Sequence, residues 1–269
     1  MGRILRNMFV IVFAILWLIP IYLLVVNALT PVADYAGAPS WFPTGFGFFE
    51  NVEIAWTQSG LGDGMKNSLL YATSSAFVAV FAAALAGFAV VVMQTKRSTF
   101  WFWLIYLGTL LPLQIFLAPL FKAYVSAGLY DTSLGMVLIY SAICVPFAFF
   151  IVRNYLTTLP PEITEAAKLD GAGWSRLFWT IHLPLIKSSL FAAFIFQFTW
   201  VWNDLLFGIT LTTSPDRRPV MAALAEVNGG FSSLGPPVVL AAAIVVSLPT
   251  VIIFLSSQRF FVSSLRATM

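Results

Sequence analysis

The sequence predicts an all-α membrane protein that forms one domain over residues 1–269. Its composition is the first observation, because 60% of the residues are hydrophobic and only 9% are charged, whereas a soluble domain usually carries about 25% charged residues. The second is that the apolar residues gather in six segments, each close to the roughly 20 helical residues that cross a hydrocarbon core. The third is that charged residues lie almost entirely between these segments. Together they predict a chain that spans a bilayer.

Six transmembrane helices are predicted, at residues 8–27, 68–93, 101–120, 134–152, 190–208 and 238–256. The first follows Arg3 and Arg6, so a cleaved signal peptide is a competing interpretation. Its apolar run is longer than a usual signal core and no clean cleavage site follows, so we expect it to be retained. Small residues recur in the second span, which favours close packing of helices in lipid. Only the fifth span contains a charged residue, Asp204.

The distribution of Lys and Arg predicts that both termini are cytoplasmic. Ten of the 14 basic residues fall on one side of the six-span arrangement, and basic residues accumulate in cytoplasmic loops. Segments 29–65 and 209–235 are then external, and 156–184 is cytoplasmic. The first external segment is rich in aromatic residues and prolines, which is typical of short helices and turns at the headgroup level. In the second, a short helix is predicted over 220–227, followed by a turn at 228–230.

The cytoplasmic segment 156–184 predicts two short helices joined by a glycine turn. Pro161 suits a first helical turn, and Gly171 ends the first helix because glycine adopts left-handed torsions at little cost. The residues expected to share one face of that helix are Ile163, Ala166, Ala167 and Asp170. Small side chains on this face leave a shallow surface for another protein. Gly173 is expected to permit a further turn, and a second helix with an apolar stripe ends at Pro184.

The spacing within this segment resembles the EAA loop of ATP-binding-cassette (ABC) importer permeases. The pattern is filled by Glu165, Ala166, Ala167, Gly171, Ile181, Leu183 and Pro184. The whole chain is similar to the carbohydrate (MalG-like) branch of these binding-protein-dependent transport system inner membrane components. Further similarities are the six spans with cytoplasmic ends, Trp202-Asn203-Asp204 after the fifth span, and residues 258–262 after the sixth.

The resemblance implies a type I ABC importer permease fold in the bacterial inner membrane. It implies a second homologous permease subunit, two ATP-binding subunits and an external solute-binding protein as partners. ATP and Mg would be bound by the ATPase subunits, and this chain would hold no cofactor. Glu165 would contact a basic residue of an ATPase, and the helix through Asp170 would carry the ATPase motion to the spans. Segment 209–235 would face the binding protein.

The end of the fifth predicted span is the candidate substrate path. Gln197, Trp200 and Asp204 lie on one side of a helix, with Asn203 beside them. Indole rings stack on sugars, and amides and carboxylates bind hydroxyl groups. The competing interpretation is interfacial aromatic residues with polar residues that cap the helix end. If the path is correct, Asp204→Ala lowers transport more than Asp131→Ala.

The sequence argues against catalysis and nucleic-acid binding. It lacks the glycine-rich phosphate loop of ATPases, a basic stripe, and clustered acids, histidines or cysteines that would hold a metal. Cys144 is expected to pack as a small apolar residue, and His182 is expected to be exposed. The predicted function is therefore that of a non-catalytic permease subunit in the ATP-driven import of a mono-, di- or oligosaccharide.

Two alternatives remain open at this stage. One is an importer permease for glycerol phosphate or a polyol. The other is a secondary transporter driven by an ion gradient, which is less favoured because such proteins place charged residues in mid-membrane and show repeated halves.

Overall fold

The computed structural model describes residues 2–227 and 234–266, with side chains as far as Ser257 in the second range. Across these ranges the chain is helical with short connections and contains no strand, so the all-α prediction is confirmed there. The predicted turn at 228–230 and the side chains of the 258–262 motif lie outside the described residues.

Twelve helices are used here to locate the site within the described ranges. They are α1 (Gly2–Leu29), α2 (Phe48–Gln58), α3 (Leu61–Val91), α4 (Ser98–Leu107), α5 (Leu113–Ser126), α6 (Ser133–Leu156), α7 (Pro161–Leu169), α8 (Trp174–Leu185), α9 (Lys187–Trp202), α10 (Leu206–Leu211), α11 (Val220–Val227) and α12 (Pro236–Arg266). The middle of α8 is π-helical, over Leu177–His182. A 3-10 turn, Val32–Asp34, precedes α2.

Four of these helices are long and apolar enough to cross a membrane. They are α1, α3, α6 and the Pro236–Ser257 part of α12. The pair α8 and α9 also meets the criterion when taken together, but its two helices are bent by 72°. Among the described residues, the prediction of six single-helix spans is thus confirmed for four helices, or five crossings if the bent pair counts as one.

The predicted third span, 101–120, is wrong as a single helix. It divides into α4 and α5, with a break over 108–112. Pro112 has extended torsions (φ −72°, ψ 106°), and a proline both lacks an N–H donor and disfavours helical torsions at the residue before it. The helix predicted as the fifth span, 190–208, ends at Trp202, and a separate helix, α10, begins at Leu206.

Helix α3 lies at the centre of the fold and packs along α6 and α9. Its buried face carries Ala72, Ala76, Ala79, Ala83 and Gly87. A Cβ atom on Gly87 would lie 3.1 Å from Cδ1 of Leu156 on α6, so the two helices are in close contact there and a larger residue would require the leucine side chain to shift. Cys144 on α6 is 1% exposed, which confirms the prediction that it packs in the core.

Two apolar clusters divide the core, and the second supports the loop that carries the candidate site. The first surrounds Tyr71, Tyr140 and Trp202. The second joins Phe88 of α3 and Phe149 of α6 to the buried side of α8. Most of helix α1 is exposed, and its buried residues are confined to Val26–Ala28 near its end.

Candidate functional site

The helix α7 begins and ends as its sequence predicts. Pro161 is its first residue, Glu162 lies in the first turn and Lys168 in the last, which places each charge favourably in the helix dipole. Gly171 follows with φ +77° and open space where a Cβ would be. The glycine is therefore required for its torsion and not for its size. Gly173 has φ −73° and ψ 167°, an extended conformation that any residue adopts, so the expected turn does not depend on it.

The residues predicted to share one face of α7 differ in their exposure to solvent. Ala167 is half-buried and packs against the second core cluster, whereas Glu165, Ala166 and Asp170 are exposed. Leu169 is 89% exposed and was not singled out from the sequence. Leu169 lies three residues after Ala166 and four after Glu165, so it is their neighbour on the helix surface. An apolar residue at this spacing on a polar face was the sequence signal that could have identified it. The free surface of α7 is thus formed by Glu165, Ala166, Leu169 and Asp170.

The second half of the EAA-like segment holds α8 on the body of the protein. Ile181 and Leu183 are half-buried against the second core cluster, and Pro184 is exposed one residue before the end of α8. Ile186 follows at the bend and is 1% exposed.

The expectation that His182 is exposed is wrong, since it is 3% exposed. Its ring lies against Phe88, with centroids 5.4 Å apart, and its Nε2 atom is 3.1 Å from the hydroxyl oxygen of Thr164 on α7. Its Nδ1 atom has no hydrogen-bond partner in the described structure. The π-helical turn shifts the register of α8, and the sequence pattern left this position unspecified.

A second contact between α7 and α8 joins Lys168 to Trp174. The ammonium group lies 4.5 Å from the ring centroid, a cation–π geometry. A pocket of about 470 Å³ lies beside α7, next to the ends of α3 and α6 and to α8, and Lys168 is one of its lining residues. Its lining includes Val91, Gln94, Leu156, Thr164, Glu165 and His182.

The four residues of the predicted substrate path do not share one site. Gln197 and Trp200 line a pocket of about 300 Å³, together with Thr109, Pro146 and Phe196. Gln197 is 3% exposed, and its Nε2 atom has no hydrogen-bond partner among the described residues. The indole of Trp200 and the side-chain amide of Gln197 therefore come together in a pocket between the break that follows α4, the start of α5, α6 and α9.

The other two predicted residues, Asn203 and Asp204, lie outside that pocket lining. Asn203 is exposed and donates from Nδ2 to the carbonyl oxygen of Thr199 at 2.7 Å. Asp204 accepts hydrogen bonds from the backbone N–H of Phe207 at 3.0 Å and from the hydroxyl of Tyr140 at 2.9 Å. Asp204 thus caps α10, the geometry of the competing interpretation, and Tyr140 is a partner that sequence reasoning missed.

Asp131 is a second residue whose role sequence reasoning missed. Its carboxylate accepts hydrogen bonds from the backbone N–H groups of Thr213 at 2.8 Å and Ser214 at 3.0 Å, and from the Ser214 hydroxyl. Partial burial acts to raise the pKa of Asp131, but these hydrogen bonds and the charge of Arg217 outweigh it and lower the pKa. A chain separation above 80 residues left no local sequence signal.

The segment that contains Ser214 is also fixed to α3. Asn67 donates from Nδ2 to the carbonyl oxygens of Asp216 at 3.0 Å and Arg218 at 3.1 Å. The Tyr71 hydroxyl donates to the carbonyl oxygen of Arg217 at 2.9 Å. These hydrogen bonds therefore fix segment 212–219 against the rest of the protein. Across the described residues, no group of three His, Cys, Asp or Glu side chains is placed to hold a metal ion.

Comparison with known proteins places this geometry in a family. The family profile described as "Binding-protein-dependent transport system inner membrane component" matches residues 75–267. The sn-glycerol-3-phosphate transport system permease protein UgpE of Yersinia pestis is 30% identical, over 96% of this chain and 94% of that protein. The melibiose/raffinose/stachyose import permease protein MelC of Bacillus subtilis is 29% identical, over 92% of this chain and 89% of that one.

The fold also matches a solved structure. One chain of a bacterial ABC transporter involved in the import of the acidic polysaccharide alginate superimposes with a TM-score of 0.81. The alignment covers 96% of this chain and 95% of that one at 18% sequence identity, so the likeness concerns the fold. Permeases of this family are not catalytic, and ATP is hydrolysed by separate subunits. Since the profile match covers well over half of the chain, this chain belongs to the family of inner membrane components of binding-protein-dependent transport systems.

Proposed function

We propose that this chain is the permease subunit of an ATP-driven importer for a sugar, and that α7 docks on an ATPase subunit. The observation that carries the proposal is the free surface of α7 in a member of this family. Glu165, Ala166 and Leu169 face outwards together, and the torsion of Gly171 ends the helix directly behind them. A carboxylate beside an exposed leucine suits a groove that has an apolar floor and a basic rim.

The complete complex has a second homologous permease subunit, two ATP-binding subunits and a solute-binding protein. The exposed apolar length of α1 supports contact with the second permease and with lipid. Segment 212–219 is fixed by hydrogen bonds to α3 and Asp131. This supports docking of the binding protein there, because a fixed segment loses little conformational freedom on association.

The chain crosses the membrane six times, with both termini in the cytoplasm. Four crossings are α1, α3, α6 and α12, and the bent α8–α9 pair supplies a fifth. The short apolar helices α4 and α5 together supply the remaining crossing. The excess of Lys and Arg on one side supports this orientation.

The solute enters through the pocket beside Gln197 and Trp200. An indole ring and an amide N–H donor recognise the apolar face and the hydroxyl groups of a sugar, and the pocket lining contains no charged side chain. A neutral lining favours an uncharged sugar over an anion. Glycerol phosphate is the second candidate, because a relative at 30% identity is named for its transport.

The test is uptake by the reconstituted complex, with this chain, its companion permease, the ATPase subunits and the binding protein in liposomes. Labelled raffinose, melibiose and sn-glycerol 3-phosphate are supplied in parallel, with and without internal MgATP. We expect ATP-dependent uptake of a sugar. Uptake that needs an ion gradient and ignores ATP would reject the proposal, and uptake of sn-glycerol 3-phosphate alone would replace the sugar with the second candidate.

A further inference from the structure

We propose that the hydrogen bond between Thr164 and His182 links α7 to α8, so that displacement of α7 moves α8 and, across the bend at Ile186, α9. The inference rests on the proposed function, because it assumes that α7 receives motion from an ATPase. Thr164 and His182 then act as positioning residues and touch neither ATP nor solute.

The chain itself leaves open which neighbour moves with α7. One end of α7 is joined to α6 through 157–160, and the other end is joined to α8 through 170–173. Both connections are short, so connectivity alone would transmit motion equally to α6 and to α8.

The side-chain contacts around α7 are not symmetric. The pocket of about 470 Å³ beside α7 is lined by residues of α3, α6 and α8 alike, His182 included, so it favours neither neighbour. Towards α8 lie the Thr164–His182 hydrogen bond of 3.1 Å and the Lys168–Trp174 contact of 4.5 Å. Helix α7 is therefore held more firmly by α8 than by α6.

His182 is suited to carry this force because it is fixed on its other side. It is buried, and its ring packs against Phe88 of α3. Phe88 also contacts the ring of Phe178, with centroids 5.3 Å apart. A pull on His182 thus acts on the whole of α8 and not on one mobile side chain.

The bend at Ile186 connects α8 to α9, the helix that lines the pocket of about 300 Å³. Ile186 is buried between α8 and α9, and the hydroxyl of Ser189 donates to its carbonyl oxygen at 2.9 Å. Helix α9 carries Gln197 and Trp200 into the pocket. Rotation of α8 about the bend would therefore change the position of both residues.

The test uses the complete complex in nanodiscs and compares ATP hydrolysis with and without its binding protein, purified with its endogenous solute. Thr164→Val removes the hydroxyl group at similar volume, and His182→Phe keeps a ring against Phe88. We expect each to lower the stimulation by binding protein about fivefold, as for one hydrogen bond of average strength, while basal hydrolysis and the yield of complex are unchanged. Thr164→Ser should retain wild-type stimulation.

Thr158→Val is the matched control and should behave as wild type, since the Thr158 hydroxyl donates to the carbonyl oxygen of Tyr155 within its own turn. The double variant Thr164→Val/His182→Phe should lose no more than either single variant, because both remove the same bond. Wild-type stimulation in Thr164→Val, or additive losses in the double variant, would overturn the link. A wild-type complex that shows no stimulation would instead reject the proposed function.

Discussion

Asp131 and Ser214 are 83 residues apart in the chain, yet the carboxylate of Asp131 accepts hydrogen bonds from both the backbone N–H and the hydroxyl of Ser214. This pair fastens segment 212–219 to the connection between α5 and α6. A loop fastened in this way keeps one shape when a binding protein approaches. The comparison of Asp204→Ala with Asp131→Ala in transport stays a prediction, and a loss in Asp131→Ala would report the fixed loop.

Asp131→Ala should weaken the external loop. It removes an acceptor from two backbone N–H groups, and hydrogen bonds to a charged group contribute about 1.5–3 kcal/mol each before exposure to solvent reduces them. We expect a loss of about 1–3 kcal/mol in the free energy of unfolding, measured by thermal denaturation of the purified permease. Asp63→Ala is the control, since the Asp63–Lys66 ion pair is exposed and should change little. Equal effects of the two variants would contradict the role of Asp131.

The same carboxylate predicts a pH dependence. The pKa of Asp131 is lower in the folded protein than the value of about 3.9 in an unfolded chain. Its contribution to stability is therefore complete above about pH 4 and is lost as the pH falls through the folded pKa. We expect proteolysis of segment 212–219 to accelerate below about pH 4 in wild type. Asp131→Asn, which does not titrate, should lack this step; an identical acid step in both would assign it to another group.

Gly171→Ala should impair the coupling loop more than Gly173→Ala. Both sites have open space for a Cβ atom, but only Gly171 has a positive φ, and a left-handed conformation costs a non-glycine residue about 1–2 kcal/mol. We expect Gly171→Ala to lower ATP-dependent uptake severalfold and Gly173→Ala to match wild type. If the two variants transport equally, the left-handed turn is not required.

Leu169→Ala should weaken assembly with the ATPase subunits. The side chain is 89% exposed in the isolated chain, and burying a leucine contributes about 1.5–3 kcal/mol, which corresponds to roughly a 10- to 150-fold change in dissociation constant. The measurement is binding of purified ATPase subunits to the permease pair in nanodiscs. Leu185→Ala at the end of α8 is the matched control and should bind as wild type. Unchanged affinity in Leu169→Ala would remove this residue from the docking surface.

Gln197→Leu should lower solute uptake about tenfold or more without altering basal ATP hydrolysis. Gln197 lines the pocket of about 300 Å³, and its buried Nε2 atom has no partner in the described structure, so we expect it to donate to a hydroxyl group of a passing solute. Asn203→Leu removes an amide directly after the end of α9 and outside the pocket lining, and it should have the smaller effect. The reverse order of effects would move the path to the end of α9.

Local sequence signals predicted the bounds of α7 well. Pro161 and Gly171 bound α7 because proline and glycine act through their own torsions. Prolines within apolar runs were less informative: Pro119, Pro146 and Pro249 lie inside helices, whereas Pro112 marks a break. The difference depends on which neighbours surround each backbone, and that information is not local.

The contacts that sequence reasoning missed share one cause. His182, Asp131 and Asp204 all take their positions from partners distant in the chain, namely Thr164, Ser214 and Tyr140. Helical periodicity describes one element at a time, so it reports neither the π-helical shift within α8 nor the pairing of two loops.

The burial of Cys144 has a practical consequence for watching this transporter at work. Thiol reagents need an accessible thiolate, and the single cysteine of the chain is enclosed between helices. We therefore expect the native cysteine of this chain to react little with thiol-directed fluorophores or spin labels. A cysteine introduced on α7 or at the outer loop would report its own motion, with no need to replace the native thiol.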